Sequence, residues 1–306
     1  MSTHVRPRRA RRSQLSTPGS SEKMMEKAAA SKADHVFLDL EDAVAPSQKR
    51  PARKKIVEAL NTLDWGTKTR CVRINDLTTE YAFEDIIEVV EGAGANLDTI
   101  MMTKVLTPSD VLFADTLLTQ LEKKLKLKRT IGLEALIEEV EGMQNVDAIA
   151  RCTPRLECLV FGMGDFSASM GVVNKSVGGE SSYPGDVWHY ARFRLVMACR
   201  AAGIDPVDGP FGDFRNPDAY REECRRSMIL GCVGKWAIHP SQIDIALDVY
   251  SPKAEDIARA RKLAAAYADA EAKGLGAINV DGVMVDVASI RILRNTILNK
   301  ADLYGL

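Results

Sequence analysis

The sequence predicts a (β/α)8 barrel, known as a TIM barrel, followed by a small C-terminal region. Eight short runs typical of β-strands alternate with stretches whose apolar residues recur every three or four positions. Strands that alternate with helices favour a parallel sheet, and eight such units in about 250 residues suit a closed barrel. An open, doubly wound sheet is the alternative fold for the same alternation.

The predicted strands and helices follow one another in a regular order. The strand runs are Ser13–Thr17, His35–Leu40, Thr69–Asn75, Thr99–Val105, Thr130–Glu138, Leu156–Met163, Ile204–Gly209 and Gly234–His239. The helical patterns include Glu22–Ala30, Lys49–Leu63, Tyr81–Glu91 and Trp188–Ala202. Pro108, Pro217 and Pro240 stand where helices are expected to start, because proline is tolerated in a first helical turn.

The end of the chain forms a separate region in this prediction. Ser251-Pro252 indicates a boundary, which gives a barrel over residues 1–250 and a C-terminal region over residues 251–306. Because the eight strand–helix units are already complete, this region should pack outside the barrel. A lid over its own or a neighbour's active site is one use for it. Its parts are a helix over Ala254–Lys273, Gly274 and Gly276, the segment Asn279–Val285, and a final short helix.

Composition excludes several classes of protein. With 306 residues, 46% of them hydrophobic, and a net charge of −1, the chain can bury a large core and has no overall basic surface for nucleic acid. No apolar run approaches the roughly 20 residues that span a bilayer, and no apolar stretch follows the N-terminal arginines. The six cysteines form no CxxC pair, which favours free thiols in a reducing cytoplasm.

Acidic side chains gather where the predicted strands end. Active sites of TIM barrels lie at the carboxyl ends of the strands. Like charges repel unless a cation lies between them, and oxygen ligands favour Mg²⁺ or Mn²⁺. Any one of these acids could instead cap the next helix. The polar residues expected at this end are Asp39, Glu41, Asp42, Arg73, Asn75, Glu134, Glu138, Asp165, Asp205, Asp208 and His239.

Searches for other catalytic motifs are negative. The sequence has no GxxxxGK[ST] phosphate loop, no GxGxxG after a strand, no HExxH and no GxSxG. None of the four histidines has a partner at the spacing of a metal site, and His239 is interpreted as structural. The sequence therefore does not indicate a nucleotide-binding enzyme, a zinc protease or a serine hydrolase.

Six segments resemble one known superfamily, and they occur in its order along nearly the whole chain. They are Arg12–Gly19, Asp39–Val44, Val72–Asn75, Leu136–Gly142, Phe161–Phe166 and Ala237–Ile243. In these six segments the chain resembles the HpcH/HpaI aldolase and citrate lyase β-subunit superfamily. Asp208–Phe214 and Gly234–Pro240 are more similar to malyl-CoA lyases than to citrate lyase subunits.

The resemblance implies a role for each matching side chain. Glu138 and Asp165 would bind Mg²⁺ (or Mn²⁺), and Glu41 and Asp42 would hold water molecules on the metal. Arg73 would bind the carboxylate of the 2-oxo acid and the developing oxyanion. Glu134 shares a strand face with Glu138, and we interpret it as a supporting residue, either a core-facing partner of Arg73 or a reacting group.

Four further residues match less constrained positions of the family. Asp286 would be the lid residue that acts as acid and base on the acetyl methyl group. Its plainer alternative is to cap the final helix. Arg12, Lys27 and Pro240 would contact coenzyme A, although Arg12 and Lys27 could also be ordinary surface charges.

The implied reaction is the Mg²⁺-dependent cleavage of L-malyl-CoA to acetyl-CoA and glyoxylate, and of β-methylmalyl-CoA to propionyl-CoA and glyoxylate. The resemblance also implies a homotrimer or homohexamer in which the lid reaches a neighbouring subunit. One alternative within the superfamily is a citramalyl-CoA lyase that releases pyruvate, because a pocket discriminates one methyl group by only about 1–3 kcal/mol. The others are a CoA-free class II aldolase, an acyl-CoA-binding scaffold without activity, and a hydrolase that releases free malate.

Overall fold

The computed structural model describes residues 6–173 and 185–306. Eight parallel strands form a closed barrel in chain order, and the last strand pairs with the first. This closure confirms the TIM barrel and rules out the open sheet. The strands are β1 Ser13–Pro18, β2 His35–Asp39, β3 Thr69–Arg73, β4 Thr99–Met102, β5 Gly132–Ile137, β6 Leu156–Phe161, β7 Asp205–Asp208 and β8 Gly234–Ala237.

Helices follow the strands as the sequence predicts. They are α1 Glu22–Ala29, α2 Lys49–Thr62, α3 Ala82–Ala93, α4 Pro108–Leu125, α5 Val140–Gln144, α6 Val146–Arg151, α7 Met163–Met170, α8 His189–Ala202, α9 Pro217–Leu230 and α10 Ile243–Tyr250. Pro108 and Pro217 occupy first turns, and the capping side chains Thr107 and Asn216 precede them. Pro240 instead begins a short 3-10 turn, Pro240–Gln242, which leads into α10.

Seven of the predicted strands extend beyond the observed carboxyl ends. The difference is largest at β4, which was expected to reach Val105 and ends at Met102. Residues beyond the last ladder hydrogen bond still look like strand residues in sequence, but their backbone turns toward the following helix. These turning segments carry Glu41, Glu138 and Lys104, so the polar site lies just past the sheet.

The inside of the barrel is a packed core. Apolar side chains from most of the strands meet in the middle of the barrel and fill it. A second, larger apolar layer lies between the outer faces of the strands and the helices. The residues of the inner cluster are Phe37, Cys71, Met101, Leu136, Cys158, Val160, Val207, Val233 and Trp236.

The described chain forms two compact units. One comprises residues 6–7 and 11–248, and the other comprises residues 8–10 and 249–306. In the second unit an antiparallel hairpin turns at Asp281 and Gly282, both with positive φ, and packs through Val285 against Leu263 and Tyr267. Its elements are α11 Ala254–Glu271, β9 Ala277–Val280, β10 Val283–Asp286, α12 Val287–Leu293, a π-helix over Arg294–Leu298, and α13 Asn299–Tyr304.

Two sequence expectations concern the whole molecule. All six cysteines are free, and five of them are buried, which agrees with the expected free thiols. Among the helices of residues 6–173 and 185–306, none combines the length and the apolar character needed to cross a membrane.

Candidate active site

Arg73 is the last residue of β3, and its guanidinium is fixed at the carboxyl end of the barrel. Nε and Nη2 donate to the two carboxylate oxygens of Asp39 at 2.7 and 2.6 Å, while Nη1 lies 3.0 Å from Glu41 Oε2. The guanidinium also lies over the rings of Phe37 and Trp236, at 5.7 and 5.5 Å from their centres. Burial alone would lower the pKa of Arg73, but Asp39 and Glu41 outweigh it and raise this pKa.

The segment after β2 is held by a buried lysine that the sequence reading did not include. Lys49 Nζ donates to the carbonyl oxygens of Leu40 and Glu41 at 2.9 and 3.0 Å, and also to the side chain of Asn75. Asp39 accepts from the backbone N–H of Glu41 at 2.9 Å. These bonds determine where the Glu41 carboxylate lies relative to Arg73.

The two predicted metal ligands meet at the same end of the barrel. Glu138 directly follows β5 and is 4% exposed, whereas the side chain of Asp165, in the first turn of α7, is 43% exposed. Lys104, just past β4, connects them. Its backbone N–H donates to Glu138 Oε1 at 2.9 Å, and its Nζ lies 3.4 Å from Asp165 Oδ2 and 2.6 Å from Glu41 Oε1.

Lys104 was missed because it lies inside the predicted strand run Thr99–Val105 and was not included among the polar residues at the strand ends. Its position, two residues after β4, was a usable signal, since this position belongs to the same turning segments as the acids. The structure thus brings Glu41, Glu138 and Asp165 together as predicted, and it adds an ammonium group among them.

Gly162 lets Glu138 lie close to the start of α7. A Cβ atom at this glycine would lie 2.5 Å from Glu138 Cβ and 2.6 Å from Glu138 Oε2. Any larger residue would therefore push the Glu138 side chain away. The position of the Glu138 side chain, a predicted metal ligand, therefore explains why residue 162 of the Phe161–Phe166 segment is a glycine.

The electrostatics of these carboxylates suit a divalent cation. Burial raises the pKa of Glu138 to about 8; Lys104 opposes this change, and Asp165 and Glu41 add to it. Burial also raises the pKa of Glu41, against the opposing effects of Arg73 and Lys104. A set of oxygen donors that resists full ionisation without a cation fits Mg²⁺ or Mn²⁺.

We expect metal affinity to increase with pH, because the metal must displace the proton from Glu138. Below the pKa of about 8, affinity should rise about tenfold for each pH unit, and it should level off above that pH. Titration calorimetry with Mg²⁺ between pH 6 and 9, in buffers of different ionisation enthalpy, would measure both affinity and proton release.

The variant Glu138→Gln serves as the control for this pH dependence, because it imitates the protonated side chain. It should bind Mg²⁺ very weakly at every pH.

The same raised pKa affects the stability of the metal-free wild type. Between the unfolded and the folded pKa of Glu138, the folded state keeps a proton on this carboxyl that the unfolded state has lost. Stability should therefore decrease as pH rises from about 4.5 to about 8, and Glu138→Gln should remove this contribution. A flat affinity profile without proton release would contradict the assignment of Glu138.

For three other residues, Asp42, Pro240 and Lys27, the structure gives the position, and the predicted role stays a prediction. The Asp42 carboxylate is exposed and lies 3.9 Å from Arg73 Nη1, at the same end of the barrel. Pro240 begins the turn after β8, also at that end. Lys27 is exposed in the last turn of α1.

Glu134 is not at this end of the barrel, and its predicted support of Arg73 is wrong. Its carboxylate accepts from Arg11, from His35 Nε2 at 3.0 Å and from Thr99 Oγ1 at 3.0 Å. These partners stand before β1 or at the first residues of β2 and β4, so they belong to the amino end of the barrel. Strand alternation does put Glu134 on the same face as Glu138, but four residues separate them by roughly 13 Å along the strand.

Arg12 also lies at the amino end, which contradicts its predicted contact with coenzyme A. It directly precedes β1. Its Nε and Nη2 each lie 2.7 Å from a carboxylate oxygen of Asp34, which directly precedes β2. The guanidinium therefore forms a bidentate ion pair at the end of the barrel opposite to the proposed site.

Asp286 belongs to the second unit, where it caps α12. Its carboxylate accepts from the backbone N–H and from the hydroxyl of Ser289, both at 2.8 Å. These bonds lower the pKa of Asp286. The capping alternative is therefore observed, and the role of Asp286 as acid and base stays a prediction.

The HpcH/HpaI aldolase/citrate lyase family matches residues 12–240. The chain belongs to this family. It is 45% identical over 295 residues to an L-malyl-CoA/β-methylmalyl-CoA lyase of Cereibacter sphaeroides, covering 93% of each chain. It is 36% identical over 293 residues to a (3S)-malyl-CoA thioesterase of Cereibacter sphaeroides, covering 95% of this chain and 94% of that one.

A solved structure supports the same family. The CitE protein of Mycobacterium tuberculosis, in complex with magnesium, acetoacetate and coenzyme A, matches with a TM-score of 0.72 and 27% identity. The match covers 95% of this chain and 97% of that one. The similarity thus includes the C-terminal region as well as the barrel.

Proposed function

We propose that the protein catalyses the Mg²⁺-dependent, reversible cleavage of L-malyl-CoA to acetyl-CoA and glyoxylate. We also propose that it cleaves β-methylmalyl-CoA to propionyl-CoA and glyoxylate. The observation that carries the proposal is the fixed Arg73 guanidinium paired with Glu41, whose carboxylate is linked through Lys104 to Glu138 and Asp165. The 45% identity to a lyase named for both substrates supports it.

The metal would be held by Glu138 and Asp165, with Glu41 and Asp42 placed to bind its water molecules. Mg²⁺ typically takes one or two protein carboxylates and leaves other positions for water or substrate. When bound, it supplies a Lewis acid for the oxygens of the substrate. Mn²⁺ prefers the same ligands and could replace it.

Arg73 would bind the carboxylate of glyoxylate. It would also donate a hydrogen bond to the thioester oxygen, on which negative charge develops during cleavage. When the 3-hydroxyl loses its proton to solvent, its oxygen becomes the aldehyde oxygen of glyoxylate, and the electron pair of the broken C2–C3 bond remains on the acetyl-CoA portion as an enolate. Asp39, Phe37 and Trp236 already orient the guanidinium, so it does not need to reorganise during the reaction. No covalent nucleophile is required, which agrees with the negative motif searches.

Asp286 would handle the proton of the acetyl methyl group. In the cleavage direction its protonated form gives a proton to the enolate carbon, and in condensation its carboxylate removes that proton. The hydrogen bonds from Ser289 favour the carboxylate, which suits the condensation direction. Closure of a lid over the site would exclude water and protect the enolate.

We further propose that Lys27 and Pro240 contact coenzyme A, and that the protein is a homotrimer or homohexamer in which residues 251–306 reach a neighbouring subunit. Both proposals follow from the family resemblance. Light scattering after size-exclusion chromatography would measure the oligomeric state, and a monomer would contradict the shared lid.

The experiment that tests the lyase is a coupled assay with purified protein. L-malyl-CoA, β-methylmalyl-CoA and citramalyl-CoA are each supplied with Mg²⁺ or with EDTA. We expect metal-dependent release of glyoxylate from the first two. Release of pyruvate from citramalyl-CoA alone would identify the citramalyl-CoA alternative. Cleavage of none of the three by folded protein with Mg²⁺ would contradict the proposal and favour a CoA-free aldolase.

A thioesterase is the second candidate, because the chain is 36% identical to a (3S)-malyl-CoA thioesterase. Hydrolysis would release free coenzyme A and malate, whereas the lyase releases glyoxylate and leaves the thioester intact. A thiol reagent such as DTNB therefore separates the two reactions in the same tube. Thiol release without glyoxylate would identify the hydrolase.

A further inference from the structure

Lys104 has an unusual backbone for a lysine. Its φ is 48°, in the left-handed region that residues with a Cβ rarely occupy. Such a conformation persists where the surroundings determine it strongly, and it often marks a functional position. Here it directs the backbone N–H to Glu138 and the ammonium group to Glu41 and Asp165.

The ammonium group occupies the position of a counter-charge for the proposed metal ligands. It lies 2.6 Å from Glu41 Oε1 and 3.4 Å from Asp165 Oδ2, and the Lys104 side chain is 25% exposed. Arg73 also neutralises Glu41, at 3.0 Å, so the Glu41 carboxylate would keep a partner without Lys104. Asp165, in contrast, is linked to the cluster through Lys104.

We propose that Lys104 is a positioning residue that acts as a tethered cation in the metal site. It keeps the carboxylates of Glu41 and Asp165 close to Glu138 before a metal binds. It also limits the affinity for the metal, because its ammonium repels a divalent cation bound by Glu138 and Asp165. This inference deepens the proposed function and rests on it, in that it takes Glu138 and Asp165 as the ligands.

The expected sign distinguishes this role from a purely structural one. A residue that only supports the ligands would weaken metal binding when it is removed. Removal of a competing cation should instead strengthen binding, since one positive charge within several ångströms of Mg²⁺ is worth about a factor of ten or more at the dielectric of a partly exposed site. The affinity of the substrate-free protein for Mg²⁺ is therefore the decisive measurement.

The test uses Lys104→Asn, because asparagine tolerates the left-handed backbone and carries no charge. Titration calorimetry with Mg²⁺ should show binding at least about tenfold tighter than in the wild type. The increase of the melting temperature on adding Mg²⁺ should also be larger, because stabilisation by a ligand grows with its affinity. Lys104→Arg keeps the charge and should restore an affinity close to that of the wild type.

Two further variants complete the design. Lys104→Gly has no side-chain oxygen that could bind the metal and also suits the backbone, so it should show the same tightening if Lys104→Asn fails to fold. Lys126→Asn is the matched control. Lys126 is also left-handed, with φ 53°, but it is exposed at the end of α4, opposite to the proposed site, and its variant should bind Mg²⁺ like the wild type.

The outcome is independent of turnover. Unchanged or weaker Mg²⁺ binding in a folded Lys104→Asn or Lys104→Gly variant would overturn the proposal. Tighter binding in every one of these two variants that folds, with Lys104→Arg and Lys126→Asn near the wild type, would support it. Because no substrate is added, a failure of the lyase assay would leave this result interpretable.

Discussion

Arg73→Lys should lower kcat for L-malyl-CoA cleavage by about 10²–10³-fold, the loss expected when one oriented donor to a developing oxyanion is removed. Lysine keeps the positive charge but loses the planar fork that binds both oxygens of Asp39. Its ammonium could pair with Asp39 or reach the substrate oxygen, but it could not do both in fixed geometry. The change should therefore appear mainly in kcat, measured by glyoxylate release at saturating Mg²⁺.

Arg70→Lys is the control for this prediction. Arg70 is on the same strand, and it also binds one aspartate through two nitrogens, at 2.9 and 3.5 Å from the oxygens of Asp98. Strand alternation places it on the outer face of the barrel, away from Arg73. Its variant should keep nearly full activity. Activity of Arg73→Lys within about threefold of the Arg70→Lys variant would mean that the guanidinium fork does not act on the transition state.

The parts of the site that the sequence predicted are those determined by the order of strands and turns. In a parallel barrel every strand ends at the same face, so Glu41, Arg73, Glu138 and Asp165 could be grouped before any coordinates were known. The eight strands followed from periodicity in the same way. These inferences needed only local patterns and one rule about where strands end.

The parts that were wrong or missed have different causes. Alternation puts Glu134 and Glu138 on the same face of β5, but it ignores the rise along the strand, which places Glu134 roughly 13 Å nearer the amino end of the barrel. Arg12 was assigned by its position in a motif, although it stands before β1 and pairs with Asp34. Lys104 required its left-handed backbone to reach Glu138 and Asp165, and no sequence pattern indicated that conformation.

Glu134 leads to the second large prediction, which concerns the stability of the barrel. Arg11 is 1% exposed and pairs with Glu134, with Glu157 at 2.9 Å and with Asp205 at 3.4 Å. Arg11→Met would leave these carboxylates without their shared cation. Breaking a buried ion pair by removing one partner costs about 3–5 kcal/mol, and we expect a loss of this size in the free energy of unfolding in urea.

A second variant separates the loss of charge from the loss of packing. Burial alone would raise the pKa of Glu134, but Arg11 and His35 outweigh it and hold this pKa well below its usual value. The stabilisation from this group is therefore present at neutral pH and decreases as pH falls below the unfolded value of about 4.5. In Arg11→Met/Glu134→Gln the neutral amide can still bond to His35 and Thr99, so part of the lost stability should return.

Lys124→Met provides the comparison with an exposed ion pair. Lys124 Nζ lies 2.5 Å from Glu91, but the Lys124 side chain is 66% exposed, and its loss should cost less than about 1 kcal/mol. The two losses of stability should differ because water screens the exposed pair, whereas Arg11 and Glu134 are buried at the amino end of the barrel. If Arg11→Met also lost less than about 1 kcal/mol, the carboxylates would have to protonate at little cost, and the amino end of the barrel would be stabilised by packing instead of by charge.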